Sequence, residues 1–477
     1  MQLNGKEIKT IHFVGIKGVA MTALALYCHD QGIRITGSDV ADDFPTKDVL
    51  GEASFPIFLG FSEDHISGLS PVPDLVIYTG AHGGEGNPEI QRARNMGIDV
   101  LPHGKALGEF MKKHIEVSVA GSHGKTTTSA MIATILAGAG LDPSYAIGCG
   151  SLRPIGNPGH FGKGDVFIAE ADEYLTDPQF DRTPRFFWQN PDIFVVTNID
   201  YDHPDAYASI EAVKKAFEAV QKKQKGIAVS VVNADDPNSA ILSHPKNGSV
   251  ITFGVSPTAD YRVSDIYIKD NKTIFSLSYQ GENEGIFEIG VPGVHNAINA
   301  VAAIAAARIL TISWDDIRKS LSTFNGTKRR FEIIGTCKEI TVVDDYAHHP
   351  KEIETTLHAA RAWFGEKRII SVFQPHTYSR TRALLKEFVH SFSGSDIVLI
   401  ADIYASARES IDDTMTADSF VKEMSSIHSH VRVKKTYNDV ELYLDEVTKP
   451  GDVILFLGAG DIALWSAVYF DHLETHI

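Results

Sequence analysis

The run Val119-Ala120-Gly121-Ser122-His123-Gly124-Lys125-Thr126-Thr127-Thr128 constrains this chain more than any other stretch of it. Residues 116–120 read as a short buried strand, and Met131, Ile132, Ile135 and Leu136 recur at helical spacing until Gly138 and Gly140 stop the helix. A strand, a glycine turn and a helix in that order can hold a nucleotide triphosphate. Backbone N–H groups of the turn and the helix N-terminus point at phosphate oxygens, Lys125 adds a point charge, and a threonine hydroxyl can reach magnesium. Val119 stands where the usual spacing has a glycine, so the flanking strand and helix carry the assignment. The plainer alternative is an ordinary loop before a helix.

With 477 residues, the chain has length for about three domains. Its 43% hydrophobic and 22% charged residues are those of a folded globular protein, without low-complexity tracts. A formal charge of −17 argues against a nucleic-acid protein, which needs a concentrated basic surface. Cys28, Cys149 and Cys337 are odd in number and far apart, as expected of reduced thiols in a cytoplasmic protein. No signal segment opens the sequence, and no apolar run approaches the eighteen or so residues of a membrane span.

From Thr10 onward strand and helix patterns alternate: strands over 11–14, 34–38 and 75–79, helices over 18–31 and after Asn87-Pro88. This is the grammar of a parallel α/β sheet, and it closes near residue 110. The phosphate loop starts a second α/β unit with strands over 166–169 and 194–198. Short alternating stretches over 261–289 suggest antiparallel hairpins, and an alanine-rich helix follows over 296–309. After Gly326 a third alternating unit has strands near 340–344, 368–373, 397–403 and 453–457.

Several constellations carry chemistry. Glu170-Ala171-Asp172-Glu173 ends an apolar strand, where ligands gather in such sheets, so Glu170 or Glu173 can complete a magnesium site begun by Thr126, or form a solvated acidic turn. His203 lies beside carboxylates at another strand end, either as a structural hydrogen-bonder or as a metal ligand. Lys328, Arg329 and Arg330 form the densest basic patch, either plain solvated surface or a hinge cation for a γ-phosphate. His376 and Arg380 follow a buried strand and can receive a carboxylate. Near the start, Gly15, Gly18 and Asp39 approximate a dinucleotide fingerprint, with Lys17 and Ala20 where stricter versions have glycine. A nucleotide diphosphate suits this copy better than NAD.

Together the Gly-Ser-His-Gly-Lys-Thr-Thr-Thr loop, Glu-Ala-Asp-Glu, Thr-Asn-Ile-Asp-Tyr-Asp-His, Pro-Gly-Val-His-Asn-Ala-Ile-Asn, Lys-Arg-Arg-Phe and Val-Asp-Asp-Tyr-Ala-His-His-Pro resemble, in the same order and over almost the whole chain, the Mur ligases. The resemblance implies an α/β fold of three domains: a Rossmann-like UDP-sugar-binding domain over 1–110, a central P-loop-type ATP-binding ligase domain over 111–325, and a Rossmann-like amino-acid-binding domain over 326–477. It implies ATP and magnesium as cofactors. The implied reaction joins L-alanine to the lactyl carboxylate of UDP-N-acetylmuramate through an acyl phosphate, the first amino-acid addition in peptidoglycan synthesis.

Carried over by position, Gly121, Ser122, His123, Gly124, Lys125, Thr126 and Thr127 hold the ATP phosphates, with Arg330 as a further phosphate contact. Asn296 and Asn299 lie on the adenine side and Asp345 at the ribose. Thr126 and Glu170 bind one magnesium and His203 a second. Gly15, Gly18, Met21, Ser38 and Asp39 bind the UDP moiety; His348, His376 and Arg380 lie near the amino acid. The catalytic set implied is Lys125, Arg330 and His203, in a cytoplasmic monomer or homodimer with no nucleic-acid or membrane partner.

Residues 80–86 are richer in glycine than the common version, and 174–188 are longer than in many alanine-adding members. The longer stretch resembles the recycling branch, which joins murein tripeptide to the same sugar, whereas Gln-Pro-His-Thr-Tyr-Ser-Arg-Thr and residues 402–409 resemble the alanine-adding branch. A P-loop phosphotransferase and a nucleotide-gated UDP-sugar-binding protein are the readings of other classes.

Overall fold

The computed structural model describes residues 1–3, 5–405, 412 and 414–475; positions 406–409 of the 402–409 run lie outside them. The chain forms two compact units, one of Met1–Tyr267, Thr273–Gly290 and Asn296–Thr327, the other of Ile268–Lys272, Val291–His295 and Lys328–Ile477.

Among the described residues, the first unit carries two large sheets. One is five-stranded and wholly parallel, in the order Ile57–Leu59, Arg34–Asp39, Thr10–Val14, Leu75–Tyr78, Asp99–Pro102. Apolar runs such as Ile11, Phe13, Leu75 and Ile77 are buried there because helices, among them Val19–Asp30 and His103–Met111, cover the sheet. The edge strands Ile57–Leu59 and Asp99–Pro102 are too short and too half-exposed to announce themselves in the sequence.

The second sheet is ten-stranded. Its centre is Ile115–Ala120, paired in parallel with Val166–Ala171 on one side and Ile193–Val196 on the other, with Ala120 opposite both Ala171 and Val196. Three strands therefore end at one rim. Helix Lys125–Gly138 leaves that rim and is buried along most of its length, with Gly138 so close to helix Trp314–Leu321 that a Cβ there would stand 2.2 Å from Ser320 Oγ. The hairpin strands Lys272–Tyr279 and Glu282–Ile289 are antiparallel, as their alternation suggests. The strand expected over 194–198 runs instead from Ile193 to Val196, because Thr197 and Asn198 turn out of the ladder to brace the phosphate loop.

The stretch 174–188 forms a small hairpin, Leu175–Asp177 with Asp181–Pro184, followed by a turn of helix at Arg185–Trp188. It lies against the first sheet's own layers. Gly104 and Gly108 on helix His103–Met111 face Arg185 and Trp188, and a Cβ at Gly108 would meet the Trp188 carbonyl at 2.1 Å.

The second unit, among its described residues, has a six-stranded sheet in the order Glu332–Cys337, Ile340–Asp345, Val453–Leu457, Ile369–Phe373, Ile397–Ile400, Val431–Val433. All pairs are parallel except the edge strand Glu332–Cys337. That edge strand escaped the sequence reading, since a bulge between Ile333 and Gly335 breaks its alternation.

Two consequences are testable. A Cβ at Gly159 would lie 1.8 Å from the Ala23 carbonyl, so Gly159→Ala overpacks the contact between strand Gly159–His160 and helix Val19–Asp30. The expected cost is about 1–3 kcal/mol, read as a lower urea midpoint. Burial, reinforced by Arg185, holds the His103 imidazole down at about 4. The unfolded chain takes its proton near the ordinary value of about 6.5, so this group's contribution is lost as pH falls from 6.5 to 4. His103→Gln should lose less stability than wild type across that window.

Candidate active site

At the rim where Ala120, Ala171 and Val196 end together, the phosphate loop is held from behind. Asn198 accepts the His123 N–H at 3.0 Å and donates to the His123 carbonyl at 2.9 Å, while the Thr197 hydroxyl donates to that carbonyl at 2.5 Å. Ser122 Oγ accepts the Asp200 N–H at 2.9 Å. Gly121 at φ 138° and Gly124 at φ 84° make the turn, and each lies against an asparagine segment: a Cβ at Gly121 would meet Thr197 and Asn198, one at Gly124 the amide of Asn299. Val119 can replace the usual glycine because it lies within the strand, fully buried, before the turn begins.

Lys125 opens the helix, with its ammonium hydrogen-bonded to the Gly121 carbonyl and to Glu173 Oε2 at 3.0 Å. Burial alone would lower its pKa, but Glu173, Asp172 and Glu170 outweigh it and raise the value, so the charge is kept. Thr126 Oγ1 donates to Glu170 Oε2 at 3.0 Å, and the other Glu170 oxygen accepts the Gly148 N–H at 2.6 Å. His203 Nε2 stands 3.9 Å from Glu173 Oε1, with its ring 4.9 Å from that of Tyr174. Asp172 is held low: burial would raise it, but Arg185, paired at 2.8 Å, and Lys125 prevail.

A hydroxyl and a carboxylate at one helix start are hard oxygen donors of the kind magnesium takes alongside phosphate oxygens and water. Among the described residues no group of three or more His, Cys, Asp or Glu forms a complete metal cage. A nucleotide-bound magnesium needs none. The residues present therefore fit that ion at Thr126 and Glu170.

Asn296 and Asn299 are buried on helix Val294–Ile309, and Asn299 lies over Gly124. In the five-stranded sheet, Gly15 at φ 86° ends the first strand, Gly18 precedes helix Val19–Asp30, and Met21 is buried within it. The Ser38 carbonyl accepts the Gly15 N–H, and its hydroxyl donates to buried Glu89 at 2.5 Å. Asp39 braces the turn, with its two oxygens on the N–H groups of Lys17 and Val40 at 2.7 and 2.8 Å.

The second unit gathers its own set. Arg330 stacks its guanidinium 5.1 Å from the Tyr346 ring. Asp345 accepts N–H bonds from Phe331 and Ala347 at 2.7 and 2.8 Å, so its carboxylate shapes the loop on which Arg330 lies. Arg329, not singled out from the basic patch, is buried and bonded to Asp344 at 3.1 Å and to the Gly458 carbonyl at 2.5 Å. Burial pushes the Asp344 carboxyl up to about 6 although Arg329 pulls it down. His348 and His376 meet edge to face at 5.9 Å, and His376 stacks on Tyr404 at 5.7 Å. Arg380 lies on the short helix Tyr378–Ala383 beyond them. The sequence reading missed Thr197 and Asn198 as braces of the loop; their signal was position at the end of a strand flanking it.

A phosphate loop and an acidic strand end beside it define a nucleotide-using α/β enzyme. Models of three families match in succession: Mur ligase family, catalytic domain, over 10–115; Mur ligase middle domain over 119–307; and Mur ligase, glutamate ligase domain, over 329–460. The chain belongs to the Mur ligase family. It is 40% identical over 453 residues to the UDP-N-acetylmuramate–L-alanine ligase of Desulfitobacterium hafniense, covering 95% of this chain and 97% of that one. To the ligase of the same name from Aquifex aeolicus it is 35% identical over 460 residues, with 96% and 97% covered. The crystal structure of the UDP-N-acetylmuramate-alanine ligase from Thermotoga maritima superposes with a TM-score of 0.82 at 27% identity, covering 99% of this chain and 100% of that one. The three-domain α/β architecture is thus that of the family.

Asn198→Ala removes both side-chain bonds to the His123 backbone. At about 1 kcal/mol each, their loss should raise KM for ATP about thirtyfold in steady-state assays, with circular dichroism unchanged.

Proposed function

We propose that this protein is a cytoplasmic, ATP-dependent ligase that joins L-alanine to the lactyl carboxylate of UDP-N-acetylmuramate, acting as a monomer or homodimer. The observation that carries the reading is the braced phosphate loop, with Lys125 charged and Thr126 paired to Glu170, in a chain alike over its length to ligases of that name. Among the described residues no helix is long and apolar enough to cross a membrane, in keeping with substrates that are water-soluble. We assign residues 1–110 to the UDP-sugar, 111–325 to ATP and 326–477 to the amino acid.

A carboxylate does not condense with an amine at neutral pH, because oxide is too poor a leaving group. Attack of a lactyl oxygen on the γ-phosphorus forms a C–O–P linkage and releases ADP. The alanine amine, once it has lost a proton, adds to the acyl carbon, and the tetrahedral intermediate collapses with departure of phosphate. The protein's part is placement and neutralisation of charge. Lys125 leaves Glu173 to contact the β- and γ-phosphates, the N–H groups of residues 121–126 receive the remaining oxygens, and Arg330 contacts the transferred phosphoryl group. Magnesium bound at Thr126 and Glu170, with a second ion at His203, supplies further neutralisation of phosphate charge. Asn296 and Asn299 serve the adenine side, Asp345 the ribose, and His348, His376 and Arg380 the alanine carboxylate.

The longer stretch at 174–188, folded as a hairpin, supports one competing substrate, murein tripeptide, through its resemblance to the recycling branch. Purified protein given ATP, magnesium and UDP-N-acetylmuramate with either L-alanine or tripeptide decides the matter by product mass. Formation of the alanyl product alone is expected. ATP cleavage without a new amide would overturn the proposal. Lys125→Ala should lower kcat by at least about a thousandfold, with circular dichroism showing the fold retained.

A further inference from the structure

The five-stranded sheet reverses its winding between Thr10–Val14 and Leu75–Tyr78, neighbours in the sheet whose connections leave in opposite directions. Ligands gather in the crevice at such a point, beyond the strands' carboxyl ends. Gly15 closes one strand there, and helix Val19–Asp30 starts with no side chain capping its first N–H groups. The loop that follows the other strand brings His82 over this turn. A Cβ at Gly15 would lie 3.7 Å from His82 Cδ2.

His82 is held there at some cost. Its φ of 55° is a left-handed value uncommon outside glycine, its carbonyl is tied to Asn87 Nδ2 at 3.0 Å, and its ring leans on Phe61 at 5.0 Å. The side chain is only 16% exposed, and its Nε2 stands 3.6 Å from Asp39 Oδ1, within ion-pair range but beyond hydrogen-bonding distance. Among the described residues neither ring nitrogen has a hydrogen bond.

The other basic side chain of the turn is unavailable. Lys17 folds back to donate to the carbonyls of Val40 and Asp42 at 2.6 and 2.8 Å. Asp39 is already taken by two backbone N–H groups. An anion over Gly15 would therefore meet the helix N–H groups and one basic side chain, His82.

We infer that His82 is a diphosphate-binding residue, donating from its imidazole to a phosphate oxygen of the UDP-sugar in the crevice above Gly15. Asp177 is the positioning residue behind it: the Asp177 carboxylate accepts the Glu85 N–H at 2.8 Å and fills the space a Cβ on Gly84 would need, which fixes the loop carrying His82. The hairpin and the glycine-rich loop, both departures from the common family pattern, thus act as one device. The inference rests on the assignment of this sheet to the UDP-sugar.

Calorimetric titration with UDP and UDP-N-acetylmuramate, and ligand-observed NMR with uridine, test it on the full chain. His82→Ala is expected to weaken both diphosphates about tenfold or more and to leave uridine affinity as in wild type. His82→Gln, which keeps a donor, should recover part of the loss, and Asp177→Asn should reproduce a smaller one. Undiminished UDP affinity in His82→Ala, or an equal loss for uridine, overturns the inference. Failure of the wild-type protein to bind either diphosphate would instead overturn the assignment of the sheet.

Discussion

Three parallel strands that stop in register are the constraint on which the rest of this enzyme depends. Because Ala120, Ala171 and Val196 face one another across the ladder, the segments that follow them must share one rim. The first supplies the phosphate loop, the second the acidic residues, the third the backing of Thr197 and Asn198. Each segment alone is unremarkable chemistry. Their common endpoint makes a short polar neighbourhood on a rigid apolar base, which keeps donors where charge must be received without reorganisation.

Lys125 shows what that neighbourhood does in energetic terms. A buried ammonium without partners would shed its proton, yet here three carboxylates keep it charged and Glu173 holds it directly. Glu173 thereby joins two groups of the rim, standing 3.0 Å from the Lys125 ammonium and 3.9 Å from His203 Nε2.

Much of this was legible in the chain. The alternation of apolar runs and glycine turns specifies parallel α/β units, and Gly-Lys-Thr after a strand specifies the phosphate loop, because both follow from local periodicity. What stayed hidden depends on tertiary contact. Short edge strands such as Ile57–Leu59 have too few residues for a pattern, and the bulged strand Glu332–Cys337 breaks its own. Asp39 and Asp345 also accept backbone N–H bonds that shape their own loops, a structural role that no spacing rule reveals. Arg329 and Arg330 are adjacent and alike, and only the fold separates the buried strut from its stacked neighbour.

The meeting of Gly80 and Gly84 with the hairpin carries an evolutionary and a practical consequence. Any side chain at Gly80 would strike the Thr176 carbonyl, and any at Gly84 the Asp177 carboxylate, so segments some ninety residues apart are locked into joint inheritance. A chimera that borrows one segment from a relative must borrow the other. A compound shaped to this wall would spare homologues built without it.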